Sequence, residues 1–173
     1  SVVLKVDTKN PLFNTFLALK SAKTPYYEIE DLRLINNTLQ DTLFFRTEFK
    51  GGKDHSDIFG LNFYHTFNDT KQSIIGLKKS SLTFKGADWY INESGNKDNK
   101  VVFNKNLDSV FVSSLAMSSH EREKVVLNGQ LSDSTYKDIR LSFSKVALRK
   151  IFPSVDSLDL DGRVNGELNI LQK

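Results

Sequence analysis

The end of the chain alternates between apolar and polar residues over thirteen positions. From Leu158 the even positions read Leu158, Leu160, Gly162, Val164, Gly166, Leu168 and Ile170, and the odd ones read Asp159, Asp161, Arg163, Asn165, Glu167 and Asn169. Successive side chains of a strand point to opposite faces, so this stretch predicts a strand with one apolar and one wet face. Asp161-Gly162 is a hairpin dipeptide. The alternation crosses it in phase, however, which predicts one long strand with small residues on its apolar face.

The same period recurs along the chain. Leu43, Phe45, Thr47 and Phe49 fall on one face, opposite Arg46 and Glu48. Phe59, Leu61, Phe63, His65 and Phe67 follow, then Leu82 and Phe84, Val101 and Phe103, Val125, Leu127, Gly129 and Leu131, then Ile139, Leu141 and Phe143. After Gly86 the pattern slips by one to Trp89 and Ile91, which predicts a β-bulge there. A similar slip separates Tyr27 and Ile29 from Leu32 and Leu34. Phe111, Leu115 and Met117 make a weaker run, because Val110 and Val112 compete for the other face. Val2, Leu4 and Val6 alternate near the start. Polar clusters at 51–54, 68–69, 93–99, 118–122 and 132–134 mark turns. Such short spacings favour antiparallel pairing of sequential strands.

Two segments depart from period two. Pro11 to Lys20 place Leu12, Phe13, Phe16 and Leu17 at helical spacing behind a possible Asn10 cap. Ser144 to Phe152 place Val146, Ala147, Leu148, Ile151 and Phe152 similarly, ahead of Pro153. The expectation is a mainly-β protein with about nine to eleven strands and one or two short amphipathic helices. Long antiparallel strands of this kind build a sandwich, a barrel or one curved, folded sheet with its apolar face as a lined groove.

Composition removes many chemistries. Thirteen Phe stand beside no Cys, three His and one Trp. Without Cys there are no disulfides, thiolate metal sites or Cys nucleophiles. The three His residues (55, 65 and 120) lie at no metal-ligand spacing, so no metal is expected. His65, between Phe63 and Phe67, reads as a core or rim residue. No phosphate loop or nucleophile elbow appears, and the acid pairs Glu28/Glu30 and Asp159/Asp161 occupy wet strand faces. Neither catalysis nor a cofactor is expected. The net charge of +3 is spread out; its densest patches, Lys78-Lys79, Arg122-Glu123-Lys124 and Arg149-Lys150, read as solvated faces rather than a nucleic-acid footprint. Asn36, Asn68 and Asn92 match the glycosylation sequon, a weak pattern. No run approaches the ~20 apolar residues of a membrane helix.

The order of motifs in the last third resembles a known family. Val110 to Ser119 precede Lys124 to Asp133, which contains Gly129-Gln130-Leu131-Ser132; Ile139 to Leu148 then carry Phe143, and Gly162 to Leu168 close the set. This is similar to the repeat region of TamB, the translocation and assembly module protein of the AsmA-like group. Ser80 to Gly86 followed by Trp89-Tyr90-Ile91 also resembles it, and the Phe-rich style is similar to Bacteroidetes members. The resemblance spans roughly residues 26 to 173 and is strongest over 80 to 173. Residues 1–25 match nothing in the family, and their possible helix departs from it.

The resemblance implies a β-taco: long strands in a sheet bent along its length, greasy inside and polar outside. It implies no enzyme and no cofactor. It also implies the periplasm of a Gram-negative bacterium, within a protein anchored in the inner membrane, active in lipid transport and outer-membrane biogenesis. The chain then reads as a single segment, 1–173, excised from a longer repeat protein. Its partners would be phospholipid or another acyl-chain lipid, nascent outer-membrane strands and a TamA-type barrel, but no nucleic acid; the fragment's sheet edges could pair with a second copy. The groove lining would be Phe45, Phe49, Phe59, Leu61, Phe63, Phe67, Leu82, Phe84, Val101, Phe103, Val125, Leu127, Leu141, Phe143, Leu160, Val164, Leu168 and Ile170. Beside this stand a closed β-sandwich or barrel binding carbohydrate or another ligand, with Trp89 and Tyr90 as its platform, and a hydrolase that no residue constellation supports.

Overall fold

The computed structural model describes residues 2–6, 13–25, 27–52, 54–132, 136–151 and 161–172. Thirteen strands form one antiparallel sheet. They are β1 (Val2–Val6), β2 (Phe13–Lys23), β3 (Glu28–Leu39), β4 (Thr42–Gly51), β5 (Asp57–Phe67), β6 (Ser73–Leu77) and β7 (Ser80–Phe84). The rest are β8 (Ala87–Ile91), β9 (Lys100–Phe103), β10 (Ser109–Ser118), β11 (Lys124–Ser132), β12 (Tyr136–Ala147) and β13 (Arg163–Gln172), with a one-turn helix α1 (Leu148–Ile151) after β12. Each strand pairs with its sequence neighbour except where two short strands share one rung. β6 and β7 lie end to end along β5, and β9 and β8 lie end to end along β10. The sheet therefore runs as an open meander from β1 to β13, which do not pair with each other among the described residues. It is neither a sandwich nor a closed barrel.

Register keeps the apolar residues on one side. Cross-strand partners share a face. Phe45 pairs with Phe63, Phe63 with Leu77, Ile75 with Val101, and Val101 with Val112. Beyond a bulge in β10, Leu115 pairs with Leu127, Leu127 with Leu141 and Leu141 with Leu168. One apolar face thus continues from β4 to β13.

Three bulges preserve that phase. The ladder shifts between Glu30 and Arg33, between Val112 and Leu115, and between Phe143 and Val146. Within them Asp31, Ser114 and Lys145 adopt φ of 52°, 49° and 55°. The first is the slip expected after Ile29. The second resolves the competition in β10: Val110 and Val112 share the face of Leu115 and Met117, and Phe111 turns to the other side, where it is exposed. A bulge leaves an N–H without its ladder partner, and in two cases an asparagine on the next strand accepts it. Asn128 Oδ1 takes the Ser114 N–H at 2.7 Å, and Asn165 Oδ1 takes the Lys145 N–H at 2.8 Å.

Several expectations change. Residues 13–23 form β2 rather than a helix. Leu17 and Leu19 face Leu34 and Leu32 while Phe16 and Ala18 face Ile35 and Arg33, so both faces carry apolar residues and mimic helical spacing. A short helix forfeits this ladder for marginal local stability. The second expected helix shrinks to α1, because the bulge at Lys145 brings Val146 onto the face of Phe143 and creates an i, i+3 spacing inside a strand. Gly86 marks a tight turn, not a bulge: Phe84 pairs with Ala87, and Lys85 and Gly86 between them have φ of 49° and 71°, as a primed hairpin turn requires. The last strand starts at Arg163, after a bend at Gly162 with φ of 120°. Leu158 and Leu160 lie outside the described residues, as does Phe152.

Among the described residues the fold closes tightly in one place. Ala87, Trp89 and Val146 are buried, and Leu82, Phe84, Met117, Val125, Phe143 and Val164 pack against them. These residues come from strands as far apart as β7 and β13, five steps or about 24 Å across a flat sheet. Their contact requires the sheet to curl toward its apolar side. Trp89 is 4% exposed, which rules it out as a surface platform for a ligand.

Asn128→Ala should cost about 1–3 kcal/mol in urea unfolding, since the half-buried Ser114 N–H loses its acceptor. Hydrogen exchange at Ser114 should speed up with it, and Asn128→Asp, which keeps an acceptor oxygen, should recover most of both.

Candidate functional site: the apolar face

All the expected lining residues that the structure describes fall on the same face; Leu160 lies outside the described residues. Phe49 pairs with Phe59, Phe59 with Leu82, and Phe67 with Ser73 beside Phe63. Phe103 pairs with Val110, Val125 with Phe143, Val164 with Val146 and Ile170 with Ile139. Leu61 and Phe84 follow at two-residue spacing from Phe59 and Leu82. The phenylalanines form cross-strand stacks, with Phe45 and Phe63 centroids 4.8 Å apart and Phe49 and Phe59 4.4 Å apart. His65 joins the row edge-on to Phe67 at 4.9 Å.

This face is lined but not covered. Phe45, Phe49, Phe59, Leu61, Phe63, Leu82, Phe84, Val101, Phe103, Val125, Leu127, Leu141, Phe143 and Val164 are only half-buried. Phe67, Leu168 and Ile170 are 58%, 55% and 53% exposed. Among the described residues the buried apolar side chains are Ala87, Trp89, Val112, Val146 and Ala147. A sheet packed against a second layer would bury the whole row.

Two polar clusters sit at the end of the sheet that carries the β4–β5, β7–β8 and β10–β11 connections. In one, Tyr27 donates its hydroxyl to buried Asp57 at 2.8 Å, and Asp57 also accepts the Lys85 N–H at 2.9 Å. Gly51 makes room for the Tyr27 ring; a Cβ there would lie 2.3 Å from the phenol oxygen. Burial, then the hydrogen bond to Asp57 and its charge, push the Tyr27 phenol well above its usual 10.0. The link to Lys85 ties the start of β5 to the β7–β8 turn.

The second cluster centres on Glu123, fully buried between β10 and β11. Its carboxylate accepts Lys150 Nζ at 2.6 Å, the Ala147 N–H at 2.9 Å and the Ser119 hydroxyl at 2.5 Å. Lys150 also reaches Glu121 at 3.3 Å and lies 5.8 Å from the centre of the Trp89 ring. Burial alone would raise the Glu123 pKa, but these hydrogen bonds and the Lys150 charge outweigh it and hold the carboxyl below its usual 4.5. The Arg122-Glu123-Lys124 patch is therefore not uniformly solvated as expected. Its central acid clamps α1 over the one compact part of the core.

The remaining candidates offer little chemistry. Asn36 and Asn92 are buried at 4% and 5% exposure, so neither presents an acceptor for a glycan. Among the described residues no group of three or more His, Asp or Glu could hold a metal ion, and no helix is long and apolar enough to cross a membrane. Comparison of the chain with protein families, with curated proteins and with solved structures finds no match.

Glu123→Ala should destabilise the fold by roughly 3–5 kcal/mol, since it strands a partly buried ammonium and a buried N–H. Because the folded pKa is depressed, this carboxylate's contribution is complete above the unfolded value and is lost as pH falls through the folded one. Denaturant midpoints of the parent should therefore drop steeply below about pH 4.5, and Glu123→Gln should flatten that acid limb.

Proposed function

We propose that the chain is a non-enzymatic groove segment of a TamB-like, AsmA-related envelope protein. Its apolar face conducts or shields phospholipid acyl chains, or nascent outer-membrane protein strands, in the periplasm of a Gram-negative bacterium. The whole protein is anchored in the inner membrane and works with a TamA-type barrel in outer-membrane biogenesis. One observation carries this reading: an apolar face continuous over ten strands, from β4 to β13, and curled inward, whose large side chains remain half-exposed.

The energetics suit a sliding cargo. An acyl chain laid along the face loses water at about 0.8 kcal/mol per buried CH₂. Phe, Leu and Val follow one another with few polar anchors, so no position holds the chain much more tightly than the next. An extended polypeptide could use the same lining for its side chains and the unpaired edge of β13 for its backbone. The exposed Leu168 and Ile170 lie at that edge.

Native mass spectrometry of the purified chain in mild detergent should detect bound phospholipid. Phe63→Asp and Leu127→Glu should each abolish that adduct while the circular dichroism of the sheet persists. A folded variant that retains lipid would remove these positions from the path.

A further inference from the structure

The face opposite the lining is not uniformly polar. On it, Ile35, Phe44 and Tyr64 from β3, β4 and β5 form one side of a cleft of about 600 Å³. The loop after β8 borders it with Asn92, Gly95, Asn96 and Lys97. That volume is in the range of small-molecule sites.

Its charge is one-sided. Among the described residues Lys78, Lys79, Lys97 and Arg46 line the cleft and no Asp or Glu does. Arg46 is engaged by Glu48 at 2.6 Å. No ion pair reaches Lys78, Lys79 or Lys97 among the described residues. Lys78 lies 4.8 Å from the centre of the Phe44 ring. An anion placed among these three ammonium groups gains their combined field.

The cleft is also built in advance. Tyr64 lies flat over Gly76, where a Cβ would come within 2.1 Å of the ring. Phe44 stands beside it at 6.3 Å, tilted by 47°. Asn92 fixes the loop: it donates to the Leu77 carbonyl at 2.7 Å and the Asn96 carbonyl at 3.0 Å, and accepts the Asn96 N–H at 2.7 Å. The Lys79 stem rests 3.4 Å from the Cβ position of Gly95, and its carbonyl accepts Asn62 Nδ2 at 2.9 Å. Loop and aromatic wall are thus set in place before any ligand arrives, which lowers the cost of binding.

We propose that this outer cleft binds a phosphorylated sugar, free or as the head group of a lipid. The lysines receive the phosphate, the Phe44–Tyr64 wall takes the apolar face of the sugar ring, and the exposed Asn96 amide meets its hydroxyls. The aromatic wall and the lysines belong to the face opposite the lining, with Phe45, Phe63 and Leu77 also bordering the cleft; the proposal does not rest on the lipid-groove reading.

The test is titration of the full chain, by calorimetry and by amide chemical shifts, with glucose 6-phosphate, glucose, inorganic phosphate and phosphatidylinositol vesicles. Saturable binding of glucose 6-phosphate, or of the vesicles alone, is expected, with shifts at Tyr64, Gly76 and Gly95; the first outcome assigns a free ligand, the second a lipid-borne one. Affinity should exceed that for glucose and for phosphate by about tenfold or more. Lys78→Gln/Lys79→Gln, at exposed positions, should weaken binding by about tenfold. Gly76→Ala, which displaces Tyr64 without altering charge, should also weaken it, while Lys71→Gln/Lys105→Gln should not. Equal affinity for inorganic phosphate, indifference to the Lys78/Lys79 change, or no binding of either sugar-phosphate probe overturns the proposal.

Discussion

Cross-strand pairing decides which side of this sheet each side chain occupies, and a slip of one residue turns a whole strand over. Over thirteen strands an error of phase anywhere would expose one block of phenylalanines to water and bury the charges opposite. The register avoids this by inserting single residues where the sequence would otherwise fall out of step, at Asp31, Ser114 and Lys145. Each insertion restores the apolar side and adds local twist and bend. Continuity of the lining and curvature of the sheet therefore share one cause. Asn128 and Asn165 make that cause tolerable by accepting the backbone donors that two of the insertions release.

Among the described residues no second layer covers this sheet. Its compact region, around Trp89 and Val146, forms where the curl brings β7 and β8 against β12 and β13. The Glu123–Lys150 clamp holds α1 beside that region, and the Tyr27–Asp57 pair joins the starts of β3 and β5 to the β7–β8 turn. Both lie at the same end of the sheet. Toward the opposite end Phe67 and Leu107 are exposed, and Leu168 and Ile170 are exposed along the edge. The stability of the molecule is concentrated at one end of a lining that is open over the rest of its length.

The alternation was legible in the sequence because a strand's period is local. Phe59 to Phe67 or Val125 to Leu131 announce their face without reference to any partner, and the ladder places them accordingly. What the sequence concealed depends on neighbours. Phe143 and Val146 sit three apart on one side of a bulged strand, a spacing that a helix shares. Residues 13–23 carry apolar groups on both faces, so no single period dominates. Glu123 looks like ordinary surface until Lys150, 27 residues away, is placed against it. The outer cleft is hidden for the same reason: Phe44, Tyr64 and Lys78 come together only when β4, β5 and β6 lie side by side.

On the proposed function the apolar face, and not its opposite, meets the acyl-chain or polypeptide cargo. Photo-crosslinking tests this residue by residue along β12, away from the outer cleft, with p-benzoylphenylalanine introduced singly at Arg140, Leu141, Ser142 and Phe143 of the whole protein in living cells. Crosslinked lipid or polypeptide adducts are expected at Leu141 and Phe143, with little or none at Arg140 and Ser142. Adducts of equal yield at all four positions, or only at Arg140 and Ser142, would contradict it.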